Sequence, residues 1–214
     1  MYVAAVLFVF ISLTATSQAD HHLHPCHSPN MTGTMIVMTM KGEIRGYGAF
    51  TYDSMGKKLR FRSNDSLNFN TTLSVDLLMF FEEGIFYEID SKNQTCEKKA
   101  LQCRLHPLDI PDDAKFHSTI TSGNPFIEGE GIKINVWSGS LMDKKGHYSM
   151  SATMGCLPIS SLYFTEPSSF IVSNFDVEYE IKDPELLAVP SFCQGQPLEE
   201  TPEGTVNSFL NEFI

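Results

Sequence analysis

Four cysteines stand far apart in a chain whose apolar residues mostly alternate with a period of two: Cys26, Cys96, Cys156 and Cys193. Bridges between such distant strands restrict the fold more than any other feature, because they staple segments that local structure cannot join. Cys103 makes the count odd, so the choice of odd residue and of pairing stays open. A leftover thiol of this kind either links two chains or sits buried as a small apolar residue.

The compartment follows from the first residues. Met1 to Ala19 carries no charged side chain, has an apolar core from Val3 to Leu13, and ends in Ser17-Gln18-Ala19. It is shorter than the roughly 20 apolar residues that span a bilayer, and reads as a cleaved export signal. The chain is therefore expected to be secreted, to start at Asp20 and to lack a transmembrane segment. Residues 20–214 form a single domain, with about 195–214 as a flexible or short helical tail; Val206 to Phe213 has the amphipathic pattern for one. Asn-X-Ser/Thr triplets at Asn30, Asn64, Asn70 and Asn93 are expected glycosylation sites, whereas Pro125 excludes Asn124. The net charge of −11 argues against nucleic-acid partners, which need clustered Lys and Arg. It is compatible with cation binding or with plain solubility.

Strand periodicity runs along the body. In Phe175 to Lys182, Phe175, Val177, Tyr179 and Ile181 are expected on a buried face and the charged residues on a wet one. Gly33 to Met40, Ile44 to Asp53 and Leu59 to Arg62 read as strands, the last two joined through Ser54-Met55-Gly56. His106 to Lys115 and Gly123 to Gly131 read as loops. Strands return at Lys133 to Ser138, which holds Trp137, at His147 to Met154, at Leu162 to Thr165 and at Ser169 to Asp183. Asp183-Pro184 predicts one short helical turn. Nine or ten strands with frequent turns predict an all-β antiparallel sandwich or half-open barrel.

Leu73 to Ile89 breaks the pattern. Leu77, Met79 and Phe81 share one face; Leu78 and Phe80 share the other. A strand apolar on both faces needs two covers. The second cover is a helix, another subunit, a greasy ligand or the centre of a sandwich.

Chemistry-bearing motifs are scarce. The G-x-S-x-G elbow, the H-E-x-x-H helix and the phosphate loop are all missing, which points away from an enzyme. His21, His22, His24 and His27 cluster at the new N-terminus. Cleavage before Asp20 would offer a square-planar nitrogen site for Cu(II) or Ni(II), the alternative being a polar tail. For calcium the best oxygens are Asp109, Asp112 and Asp113, without EF-hand spacing; Asp176, Glu178 and Glu180 share a strand face. No cofactor is required by any motif.

Several segments together resemble the ependymin family: PCHSP around Cys26, AFTYDSMGKKLRF from Ala49, FYEID from Phe86, Cys96 with EKKAL, HPLDIP from His106, VWS at Val136 to Ser138, and FDVEYEIKDPELLAVPSFC from Phe175 to Cys193. The resemblance implies a secreted or lysosomal glycoprotein. It implies two stacked antiparallel sheets curved around an apolar pocket, similar to bacterial lipoprotein carriers. It also implies homodimers, an association with calcium, and bridges Cys26–Cys156 and Cys96–Cys193. A third bridge of some relatives reaches a C-terminal cysteine that this chain lacks. The expected function is to hold a lipid-like apolar ligand, with contact to membrane surfaces. Leu78, Phe80, Phe86 and Trp137 are the expected lining, and the odd face of Leu73 to Phe81 the expected core. The competing expectation is a calcium-responsive matrix or adhesion glycoprotein without bound lipid.

Overall fold

The computed structural model describes residues 24–63, 75–101, 108–141, 146–165 and 169–199. The export signal, Asp20 to His22, Asn64, Asn70, Cys103 and the helix expected over 206–213 lie outside them.

The described chain is almost entirely strand. Its elements are β1 (Met31–Thr39), β2 (Ile44–Asp53), β3 (Lys58–Ser63), β4 (Asp76–Phe80), β5 (Ile85–Asp90), β6 (Thr95–Ala100), β7 (Lys115–Gly123), β8 (Gly131–Ser140), β9 (Gly146–Thr153), β10 (Pro158–Thr165), β11 (Ser169–Glu178) and β12 (Leu198–Glu199). Two short 3-10 turns, Pro184–Leu187 and Ser191–Cys193, lie between β11 and β12. The Asp183 side chain caps the first by accepting from the Glu185 N–H at 3.1 Å, as the Asp-Pro pair predicts.

All the strands join one sheet in the order β12-β6-β5-β4-β3-β2-β1-β11-β10-β9-β8-β7. Neighbours are antiparallel except for the short β12–β6 pair. The expected half-open, all-β architecture is present, as a single continuous sheet that does not close, since β12 and β7 remain its two edges. Side chains from β1 to β5 and from β9 to β11 meet in one core, so the two halves of the sheet cover each other's inner faces. Phe50, Tyr52, Phe61, Tyr148, Tyr163, Phe170, Met31, Met35 and Leu77 are fully buried there.

The expected alternation over Phe175 to Lys182 is only half right. Val177 packs on the main core and Ile181 on a second cluster, but Phe175 is 48% exposed and Tyr179 59%. For Phe175 the cause is a bulge, whereas Tyr179 lies beyond the end of β11. Thr32 faces Glu178 while Thr34 faces Phe175, so β11 carries one extra residue, and Asp176 takes a φ of 50° there. The inward face runs Phe170, Val172, Asn174 and then shifts phase to Val177. Gly33 sits opposite the bulge, where a Cβ would lie 2.9 Å from the Phe175 carbonyl oxygen.

β6, β7 and β12 were not legible as strands. β7 has almost no buried face, and its pairing with β8 leaves it as an exposed edge.

Candidate functional site

The inner face of the β8–β11 half carries the most distinctive surface. Strand register places Trp137, Met150, Ser161, Val172 and Val37 in one row across β8, β9, β10, β11 and β1. The next row is Gly139, Tyr148, Tyr163, Phe170 and Thr39. Tyr163 and Phe170 stack with centroids 4.8 Å apart, and Phe116 meets Trp137 edge-on at 5.2 Å. The Tyr148 ring lies over Gly139, where a Cβ would collide with its hydroxyl, so that glycine is what lets the tyrosine lie flat across β8. Burial first, then the nearby Asp113 charge, pushes the Tyr148 phenol up to about 12.

Four polar atoms on this face find no hydrogen-bond partner among the described residues: Trp137 Nε1, Tyr148 OH, Ser161 Oγ and Asn174 Oδ1. Their residues are 0%, 2%, 1% and 8% exposed. Asn174 does donate its Nδ2 to the Pro158 carbonyl at 3.2 Å. Asn135, also buried, is satisfied by the Thr119 hydroxyl at 2.7 Å.

The opposite face of β4 answers the question of its second cover. Leu78 and Phe80 cluster with Tyr87, Ile89, Cys96, Leu187 and Cys193, joined by Val189 and Phe192. The cover is therefore the chain's own segment 184–193, a strap laid across β4, β5 and β6. Cys96–Cys193 pins its end. Arg60 pins its start: Nη1 donates to the Leu186 carbonyl at 2.9 Å, while Nε and Nη2 hold Asp76 at 2.8 and 2.7 Å. The odd face, with Leu77, Met79 and Phe81, enters the main core as expected.

The expected lining does not assemble. Leu78 and Phe80 lie under the strap, Phe86 belongs to the main inner core, and Trp137 packs with Ile110 and Ala152. The choice of the even face as the ligand face is corrected, because the strap fills it. A terminal apolar run ending in a frame cysteine was the sequence signal for that cover.

The expected calcium oxygens do not gather among the described residues. Asp109 is buried and already engaged: the Ser28 N–H donates to Oδ1 at 3.1 Å, and Tyr52 OH and Lys57 Nζ donate to Oδ2 at 2.8 and 2.7 Å. Ser28 Oγ also donates to the Leu108 carbonyl, and the Cys156 carbonyl lies 3.1 Å away as a second acceptor for the same proton. The carboxylate thus ties the N-terminal segment, β2, the β2–β3 turn and residues 108–114 together beside the Cys26–Cys156 bridge. Burial, then the Asp109 charge, holds the Tyr52 phenol far above its ordinary range. Asp112 and Asp113 point to solvent, and among the described residues no group of three His, Cys, Asp or Glu side chains could hold a metal ion. Asp176, Glu178 and Glu180 are exposed; Glu178 pairs with Lys182 at 2.6 Å. His24 and His27 are exposed as well.

A groove of about 660 Å³ opens beside the β5–β6 turn. Arg62, Asp76, Glu88, Asp90, Lys92 and Glu97 line it, so it suits a polar occupant and not a fatty chain. Asn93 projects from that turn; its backbone N–H and its Nδ2 donate to Asp90 and hold that carboxyl below the usual range. Asn30 is half-buried, with Oδ1 accepting from the Ser54 N–H and hydroxyl at 2.8 and 2.9 Å.

A family model described as Ependymin matches residues 69–193. The chain belongs to the ependymin family. Ependymin-2 of Salmo salar is 43% identical over 212 residues, covering 98% of this chain and 96% of the relative. Ependymin of Esox lucius is 43% identical over 208 residues, with 94% of each chain covered. Among solved structures, the PNGF-II structure overlaps 81% of this chain and 32% of its own at 11% identity, with a TM-score of 0.40. A chain described as a lipoprotein from Parabacteroides distasonis overlaps 71% of this chain and 96% of its own at 9% identity, with a TM-score of 0.35. At that degree of overlap neither bears on function.

Proposed function

We propose that this member of the family is a secreted, non-enzymatic glycoprotein that holds a lipid-like apolar molecule against the inner face of its open sheet. The observation that carries the reading is the make-up of that face. Met31, Met35, Met79 and Met150 sit among Phe50, Phe61, Tyr163 and Phe170 in a core whose sheet never closes into a barrel. Methionine is unbranched and re-packs around irregular occupants, and an unclosed sheet can part without breaking a ladder. A fatty chain leaving water gains about 0.8 kcal/mol per methylene, less ordering costs.

Met1 to Ala19 supports export, to the extracellular space or a lysosomal lumen, and the triplets at Asn30 and Asn93 support glycosylation. Native mass spectrometry of the protein from secreting cells tests the carrier reading. A co-purifying lipid is expected, together with saturable binding of a fluorescent fatty acid to delipidated protein. Absence of both refutes it.

A second reading, a calcium-responsive matrix or adhesion glycoprotein acting as a homodimer, is favoured by the β7–β8 arm. Ile120, Ile127 and Ile132 are each 49% exposed along it, and Phe126 is 94% exposed near its tip. Exposed apolar groups beside an unpaired edge strand suit contact with a partner or a membrane surface. A calcium-shifted oligomer without bound lipid would select this reading.

A further inference from the structure

We propose that the inner face selects ligands by an uncharged polar head, held by Trp137 Nε1, Tyr148 OH, Ser161 Oγ and Asn174 Oδ1. This rests on the carrier reading and specifies what it carries. Buried polar atoms without partners are rare, and each one left bare costs a full desolvation penalty. Here four come from adjacent strands of one sheet face. Trp137 and Ser161 flank Met150 in a single register row, Tyr148 stands in the neighbouring row, and Asn174 lies one step along β11 beyond Val172. Strands about 4.8 Å apart spread the set over three spacings, about 14 Å, so a head meets neighbouring members of it rather than all four at once. The remainder of the face is apolar and suits the chain behind the head.

The atoms define the head chemically. The indole N–H donates only, the two hydroxyls donate or accept, and the amide oxygen accepts. A carbonyl beside a hydroxyl or an N–H complements that set, as in a monoacylglycerol or a fatty amide. A carboxylate does not suit it. Lys57 is bound to Asp109, and the charge felt by Tyr148 is that of Asp113, of the wrong sign. A carboxylate buried beside that charge would be repelled by it.

Trp137 is the only tryptophan, so its emission reports the contact directly. Delipidated full-length protein is titrated with monopalmitoylglycerol, with palmitate at pH 8 and with hexadecane, following tryptophan emission; native mass spectrometry then compares Tyr148→Phe, Ser161→Ala and unchanged protein. Monopalmitoylglycerol should shift the emission to the red and hexadecane should not. Each variant should weaken monopalmitoylglycerol about tenfold, the scale of one lost hydrogen bond, while leaving hexadecane binding unchanged. Melting temperatures without ligand should stay equal or rise, since each variant removes a bare polar atom. Ser161→Ala keeps the test open if Tyr148→Phe fails to fold. Equal loss for both ligands, no loss for either, or palmitate binding more tightly than monopalmitoylglycerol overturns the head assignment and leaves the carrier reading standing. No binding of any of the three overturns the carrier reading itself.

Discussion

Lys57 Nζ and the Asp109 carboxylate lie 2.7 Å apart at the point where four segments converge. Lys57 is itself unusual, with a φ of 47° in the β2–β3 turn. Its side chain is 27% exposed and that of Asp109 11%, so the pair is partly screened, and losing one partner should cost less than for a fully buried pair. Asp109→Asn is expected to destabilise the protein by about 2–3 kcal/mol, read from urea midpoints, because three charge-assisted bonds become weaker. An unchanged midpoint would contradict the hub. Tyr52 carries the pH signature. Its folded pKa is raised, so the folded state keeps the phenol proton that the unfolded state releases above about 10. Stability is full below that value and falls as pH rises through it. Tyr52→Phe should lower stability at pH 7 yet flatten the alkaline decline, leaving the smaller contribution of Tyr148. Asp109 was legible as a buried-chemistry residue only in part. Three carboxylates near one another suggest a cation, and nothing local reveals that Ser28, Tyr52 and Lys57 fold onto one of them from over 50 residues away.

At the scale of elements, β4 and the strap form one device. A strand apolar on both sides is readable from Leu77 to Phe81, and so is the need for two covers. The identity of the second cover depends on a contact between β4 and residues more than 100 positions later, which periodicity does not encode. β11 shows the same limit from another side: the alternation is real, but one bulge at Asp176 turns Phe175 outward, and Tyr179 lies past the strand's end. Bulges shift phase without leaving a composition signal. Cys193→Ser opens a crosslink between residues 97 apart. It should cost about 3–5 kcal/mol in the chain-entropy account. It should also raise hydrogen exchange in 184–199 more than in β9 or β10. Uniform exchange across the sheet would mean that the strap is held without the bridge.

Among the described residues the molecule is an open sheet with one guarded edge and one bare edge. β12 covers β6, while β7 exposes its length beside Ile120 and Ile132. A long unpaired edge invites pairing with another chain. Phe126→Ser with Ile127→Ser is expected to shift any self-association, followed by light scattering, toward monomer without changing the melting temperature. An unaltered oligomer would place the contact elsewhere. All-β class, hairpins and the cysteine frame were legible because period-two patterning and turn chemistry are local. The merging of two expected sheets into one continuous sheet was not, since strand order is a long-range property.

The central claim is that the inner face, and not the strap-covered face of β4, meets the ligand. Photo-crosslinking with a fatty-acyl diazirine probe, followed by peptide mass spectrometry, tests it directly. Adducts on Met35, Met150, Ser161 or Tyr163 are expected. Adducts confined to Leu78, Tyr87 or the strap, or none at saturating probe, would contradict it.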